Sequence, residues 1–195
     1  MNNQILKQMG CLWEHEGILC SLKEASYDSE NDIHMTDSLM HVVNFDQVKT
    51  LRSSELRISQ PPTSADALYR DGNGLLYLIE FKNGCVHKAD IFNKIYDSIV
   101  FLLDRKVLID LADCAKRLAF ILVYNSEKYH TEQDKIPSWG VISNYFSSLG
   151  HLPPVFDYIA RFKGYCFNSV CALNSSEFNV NFVKEHDKGY SGQIH

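Results

Sequence analysis

A chain of 195 residues with a formal net charge of −5 is long enough to bury a sizeable core. It is too acidic for a broad electrostatic footprint on duplex nucleic acid, where phosphate contacts dominate affinity. Its six cysteines form no Cys-x-x-Cys pair and sit mostly among apolar residues, which argues against a zinc ribbon or a disulfide framework and for reduced, buried thiols. No apolar run approaches the roughly 20 residues that span a bilayer, and Met1 to Lys7 carry no charged-then-hydrophobic leader. The expectation is a cytoplasmic protein with no membrane partner.

In chain order, apolar positions Ile5, Met9, Leu12, Trp13, Leu19 and Leu22 predict a helix over 4–24, weakened by Gly10 and Gly17. His15, in Trp13-Glu14-His15-Glu16, reads as part of a solvated edge, because adjacent helical residues point different ways. Residues 26–38 are polar and turn-rich, which predicts a loop. Leu39 to Phe45 reads as a strand or buried segment, and Asp46 to Lys49 continues into a helix or turn. Gln60-Pro61-Pro62-Thr63 is a clear break, since two prolines donate no ladder hydrogen bonds.

The stretch from Ser64 to Gly84 predicts a β-hairpin. Asp71-Gly72-Asn73-Gly74 is a strong turn signal, and Leu75 to Phe81 is rich in β-formers. A reversal centred on Asn73 sets Asp66 directly opposite Glu80; a centre displaced by half a residue makes them diagonal neighbours. Glu80 and Lys82 share a face, while Phe81 points the other way. Two carboxylates this close repel unless a cation sits between them. Magnesium takes one or two carboxylates, with water and substrate phosphate completing its octahedron. Such an ion lowers the pKa of a bound water, and Lys82 beside it is placed to orient that water or stabilise the transition state.

A strong helical period follows over Lys88 to Asp104, with a wide apolar stripe from Ile91 to Leu103. Asp90, Lys94 and Asp97 fall on another face, read either as a solvent-facing ion-paired stripe or as one from which Lys94 reaches the hairpin site. Leu118 to Tyr124 is a continuous apolar run, the mark of a strand buried on both faces. Strand, helix, strand predicts a crossover that lays the third strand parallel to one of the hairpin pair. Asn125 to Lys135 reads as a loop and Ser138 to Leu149 as a helix ended by Gly150. Val155 to Phe182 interleaves aromatics (Tyr158, Phe162, Tyr165, Phe167, Phe178) with Arg161 and Lys163. Core packing of strands is favoured there over base stacking. Lys184 to His195 is a polar tail in which His186 and His195 read as incidental.

Asp66, a glycine-containing turn, and a hydrophobic strand ending Ile79-Glu80-Phe81-Lys82 resemble the PD-(D/E)xK nuclease superfamily, with Ala65 where the motif name has proline. The resemblance covers about residues 40–125 of a single domain read over 1–183. It implies an α/β (α+β) fold, a central mixed sheet flanked by helices in a restriction-endonuclease-like core. It further implies Mg2+ (with Mn2+ as substitute) held by Asp66 and Glu80, and catalysis by these two with Lys82. Lys94 and Lys88 are then candidates for binding substrate, and Glu55 and Asp46 for an additional acid. The partner is a nucleic acid, DNA favoured over RNA, which accords with Lys82, Lys88, Lys94, Arg105 and Lys106 lying in or after the motif; a homodimer or a protein partner stays open. Two alternatives stand beside this one: a catalytically inactive nuclease-fold protein serving interaction, regulation or immunity, and a plain protein-binding domain.

Overall fold

The computed structural model describes residues 18–128 and 154–187. The described elements are β1 (Leu19–Ser21), α1 (Leu22–Ala25), β2 (Tyr27–Asp28), β3 (Ile33–His34), β4 (His41–Asn44), α2 (Phe45–Glu55), β5 (Ala67–Arg70), β6 (Leu76–Lys82), α3 (Lys88–Asp104), α4 (Leu111–Arg117) and β7 (Leu118–Tyr124). A 3-10 helix (Pro154–Phe162), β8 (Ser169–Asn174) and a helical run through α5 (Ser175–Phe178) and α6 (Lys184–His186) complete them. The class is the expected one: a mixed, six-stranded sheet in the order β1-β4-β5-β6-β7-β8 with helices packed on it, and a separate two-stranded hairpin, β2–β3.

The register of the central hairpin follows the turn chemistry. Ala67 pairs with Ile79 and Arg70 with Leu76, so the reversal centres on Asn73. Asp71 closes it, its carboxylate accepting from the N–H groups of Asn73 and Leu75, while Gly74 takes φ +88° at no steric cost. β6 and β7 run parallel from Leu76↔Leu118 to Lys82↔Tyr124, joined through α3 and α4. Their carboxyl ends therefore lie side by side, the place where open α/β sheets bind ligands.

Alternation along the strands builds a core on each face. Leu118, Phe120 and Leu122 of β7 pack with Leu68 and Leu78 beneath Ile91, Ile95 and Leu102 of α3 and Phe156 and Phe162 of the 3-10 helix. Ile121 and Val123 face the opposite cluster with Ala67, Ile79, Phe81, Phe178 and Phe182. Leu78 is wholly buried at the centre of the first layer. Leu78→Ala is expected to cost about 2–5 kcal/mol, read as a shift of the urea midpoint at constant m; a loss within the ~0.5 kcal/mol of a surface substitution would contradict this packing.

Several local expectations are corrected. The helix expected to reach residue 24 gives way at Leu19–Ser21, which pair with Val43, Val42 and His41. Pairing with β4 overrides helical periodicity there, and Ser21 then caps the one-turn α1 through a reciprocal Ser21–Glu24 box. The expected loop over 26–38 contains β2–β3, paired Tyr27↔His34 and Asp28↔Ile33. Tyr158 and Phe162 lie in a 3-10 helix opened by Pro154, not in a strand. Phe162, Phe167 and Phe178 are fully buried, so they pack and do not stack on bases. His186 is not incidental: its ring lies 4.6–5.3 Å from those of Phe182, Tyr77 and Tyr69, and the helical run passes Lys184 before ending. The expected helix at 138–149 and the sequence around His15 lie outside the described residues.

Candidate functional site at the carboxyl end of β6

Asp66 stands just before β5, where the paired register ends at Ala67↔Ile79, and its N–H donates to the carbonyl of Ile79 at 3.1 Å, which sets it beside Glu80. Its Oδ2 accepts from the backbone N–H of Phe81 at 2.6 Å, which fixes the carboxylate beside β6. Helix α3 holds the approach to Asp66. The Asp97 carboxylate accepts from both the N–H and the hydroxyl of Thr63 at 2.8 Å, and the Ala65 N–H donates to Ser98 Oγ at 2.9 Å. One turn earlier on that helix, Lys94 projects into the site.

The Lys94 ammonium lies 3.1 Å from Asp66 Oδ1, 2.7 Å from Glu80 Oε1 and 2.9 Å from Glu80 Oε2. Lys82 adds a second cation 3.2 Å from Glu80 Oε1. Glu80 is 0% exposed, and the contacts to its Oε1 are ionic only: no donor is aligned for a hydrogen bond to that oxygen. Burial first, and the neighbouring Asp66 charge second, push the Glu80 carboxyl up to about 8 against the pull of Lys94 and Lys82. Asp66 is also raised, by burial, with Lys94 and the Phe81 N–H opposing and Asp46 reinforcing. Burial pulls the Lys94 ammonium down, but the two carboxylates outweigh it and hold the amine protonated. The three groups therefore share one buried charge system whose proton affinity belongs to the cluster.

Asp46 completes the arrangement. It sits in the first turn of α2, which leaves β4 at this end of the sheet behind an Asn44 cap. Its Oδ1 accepts from Ser64 Oγ at 2.6 Å and pairs with Lys49 at 2.7 Å. Asp46, Asp66, Lys82 and Lys94 line one polar cleft of about 990 Å³, together with residues of α1 and the β2–β3 hairpin.

The structure thus brings Asp66, Glu80, Lys82, Lys94 and Asp46 together and separates the remaining two candidates. Glu55 lies nine residues further along α2, roughly 13 Å at 1.5 Å per residue, where it pairs with Arg52 and Arg105. Lys88 points its ammonium at the rings of Phe92 and Tyr158, 5.4 and 5.7 Å from their centroids. Sequence reading overlooked Ser64, Ser98 and Thr63, which hold the acids in place. Their signal was present but unspecific: hydroxyl residues clustered before the hairpin, and Asp97-Ser98 one turn after Lys94. Asp46 carried a clearer one, an asparagine cap directly after an apolar strand.

Compared with known proteins, the chain matches no family model, no curated protein and no solved structure. Among the described residues, no group of three or more His, Cys, Asp or Glu side chains forms a ready metal cage. The donor set nevertheless fits magnesium. Asp66 Oδ1 and the unaligned Glu80 Oε1 converge on one cationic atom, and a hard dication needs no more than two carboxylates when water and phosphate supply the rest. Lys94 would have to withdraw from between them.

Proposed function

We propose that this chain is a metal-dependent nuclease that hydrolyses a nucleic-acid phosphodiester, DNA favoured over RNA. The observation that carries the reading is the convergence of Asp66 and Glu80 on a single cation, with Lys82 on the same strand face, at the open carboxyl end of β6. The order helix, hairpin, helix, parallel strand over residues 45–124 accords with a PD-(D/E)xK core. Magnesium at Asp66 and Glu80 would acidify a bound water and neutralise charge on the scissile phosphate. The protein's own groups do the rest. Asp66, held by the Phe81 N–H, and the buried Glu80 would hold the ion; Lys82 sits where it would stabilise charge developing on the phosphate and position the water. Lys94 and Lys82 together offset the two carboxylates in the ion-free state.

Manganese titration by calorimetry into the wild type and into Asp66→Asn tests the ion site. Saturable binding that weakens in the variant supports it; equal affinity in both removes Asp66 from the site. Lys82→Ala is then expected to lower the cleavage rate about 10²–10³-fold with manganese affinity nearly unchanged. Undiminished turnover would take Lys82 out of the mechanism.

One observation favours a second reading, a nuclease-fold protein that binds a partner without turnover. Lys94 and Lys82 together already match the charge of the two carboxylates, so the cluster is electrically complete with no ion. Absence of manganese binding in the wild type, with or without an oligonucleotide, would decide for it.

A further inference from the structure

One wall of the cleft that holds the two lysines is made by the β2–β3 hairpin, in the segment whose sequence predicts a loop. Ala25 to Asn31 line it in succession. The hairpin is built, not loose. Asp28 accepts from the N–H of Glu30 at 3.0 Å and from the Asn31 side chain at 2.8 Å, and Asp32 takes a left-handed φ of 54°. It is also tied to the carboxyl ends of the parallel strands. Asn83, 5% exposed and next to Lys82, donates to Asp28 at 2.6 Å; Asn125 donates to Asn83 at 2.7 Å; Lys128 donates to Asn31 at 2.9 Å.

Two properties of this wall bear on what enters. Asp28 and Glu30 of the hairpin and Glu24 of α1 make this part of the cleft acidic, whereas its lysines, Lys82 and Lys94, stand on the sheet and α3 alongside Asp66 and Asp46. The wall also carries an aromatic ring: Tyr27 lines the cleft while remaining 46% exposed. That ring is held by the His34 ring at 4.8 Å, interplanar angle 33°, and by its hydroxyl, which donates to Asp32 at 3.0 Å. Tyr27 thus packs on His34 and still leaves nearly half of its surface exposed beside a polar cleft.

We propose that this wall makes the cleft a site for an unpaired polynucleotide strand, with Tyr27 as the platform on which a base stacks. The inference rests on the nuclease reading for the phosphate-facing side. A duplex sets a second row of phosphates across the groove from the first, and here that row meets three carboxylates. A lone strand turns its phosphates to Lys82 and Lys94 and its bases to the hairpin, where Tyr27 supplies a π face. Specificity then comes from strandedness, and the tolerance of stacking for any base predicts weak sequence preference.

The test is fluorescence polarisation of the wild-type chain in calcium, using a labelled deoxyoligothymidylate of about 12 nucleotides, within the usual single-strand site sizes. A ribo-oligonucleotide of matching length and a blunt duplex complete the set. Either single strand is expected to bind at least about tenfold more tightly than the duplex, and the stronger of the two identifies DNA or RNA. Tyr27→Ala is expected to lose about tenfold of that affinity, with manganese affinity and the circular dichroism spectrum unchanged, and Tyr27→Trp to retain it. Duplex binding as tight as single-strand binding, no binding of any oligonucleotide, or an unaffected Tyr27→Ala each overturns the proposal. Replacing calcium with magnesium separates it from the reading beneath: a single strand bound through Tyr27 but left uncut defeats the nuclease and leaves the single-strand cleft standing.

Discussion

Lys94→Met is expected to cost about 3–5 kcal/mol at pH 8 without divalent ions, the range for breaking a buried ion pair by removing one partner. The loss is expected to shrink to a small fraction of that near pH 4. The sign follows from proton counting. Without the ammonium, burial and mutual repulsion raise Glu80 and Asp66 further, so the folded protein keeps protons that the unfolded chain releases near its ordinary carboxylate values. Stability then falls as pH rises, at up to about 1.4 kcal/mol per pH unit for each proton retained. Near pH 4 the folded state holds these protons and the unfolded chain about half of them, so the missing lysine has little left to neutralise. Urea melts at the two pH values check it; equal losses would make Lys94 a packing residue. The same variant is expected to bind manganese more tightly, because the atom occupying the meeting point of the carboxylates is gone. Weaker binding would instead give Lys94 the task of holding the two acids in position.

Glu80→Gln is expected to reduce cleavage to background and abolish saturable manganese binding, yet raise stability at pH 8 in chelator. With a folded-state value near 8, against an ordinary 4.5, Glu80 takes up a proton on folding throughout that interval. Its contribution is therefore favourable at and below the lower value and is progressively lost as pH climbs to about 8. Glutamine keeps the shape and removes the titration, so the pH–stability curve of the variant should be flatter and cross that of the wild type. Opposite movement of stability and activity is the signature of a group retained for function at a folding cost. Thermal melts from pH 5 to 8, with a plasmid and oligonucleotide cleavage assay, read both halves. A variant less stable than wild type at every pH would show the Lys94–Glu80 attraction outweighing the burial penalty.

How far the sequence foretold all this varied with how local the determinant was. The hairpin register was legible because Asp71 to Gly74 dictates the turn, and pairing then propagates residue by residue to Ala67 and Ile79, next to Asp66 and Glu80. The α3 boundaries and the doubly buried β7 followed from periodicity and apolar continuity. What escaped was non-local or too short to have a period. Two-residue strands such as Tyr27–Asp28 and Ile33–His34 leave no alternation to detect, and the tie from Asp28 to Asn83 spans 55 residues. The choice between Asp46 and Glu55 needed to know which end of α2 meets the sheet. Lys94 could be placed on a helix face but not assigned its environment, since a buried ion pair and a solvated one look alike in sequence.

Helix α3 carries both the cation of the site, Lys94, and the Asp97 and Ser98 contacts that hold residues 63–65. The β5–β6 hairpin is closed by local contacts and can form early, with Asp66 and Glu80 still hydrated and ordinary in their acidity. Packing of α3 on the sheet brings Lys94 to both carboxylates in the same movement that covers them. Refolding should accordingly slow as pH rises from 5 to 8, because the late step must collect a proton or deliver its lysine before the sheet can close. The chemistry of the site is in this sense also the timing of the fold.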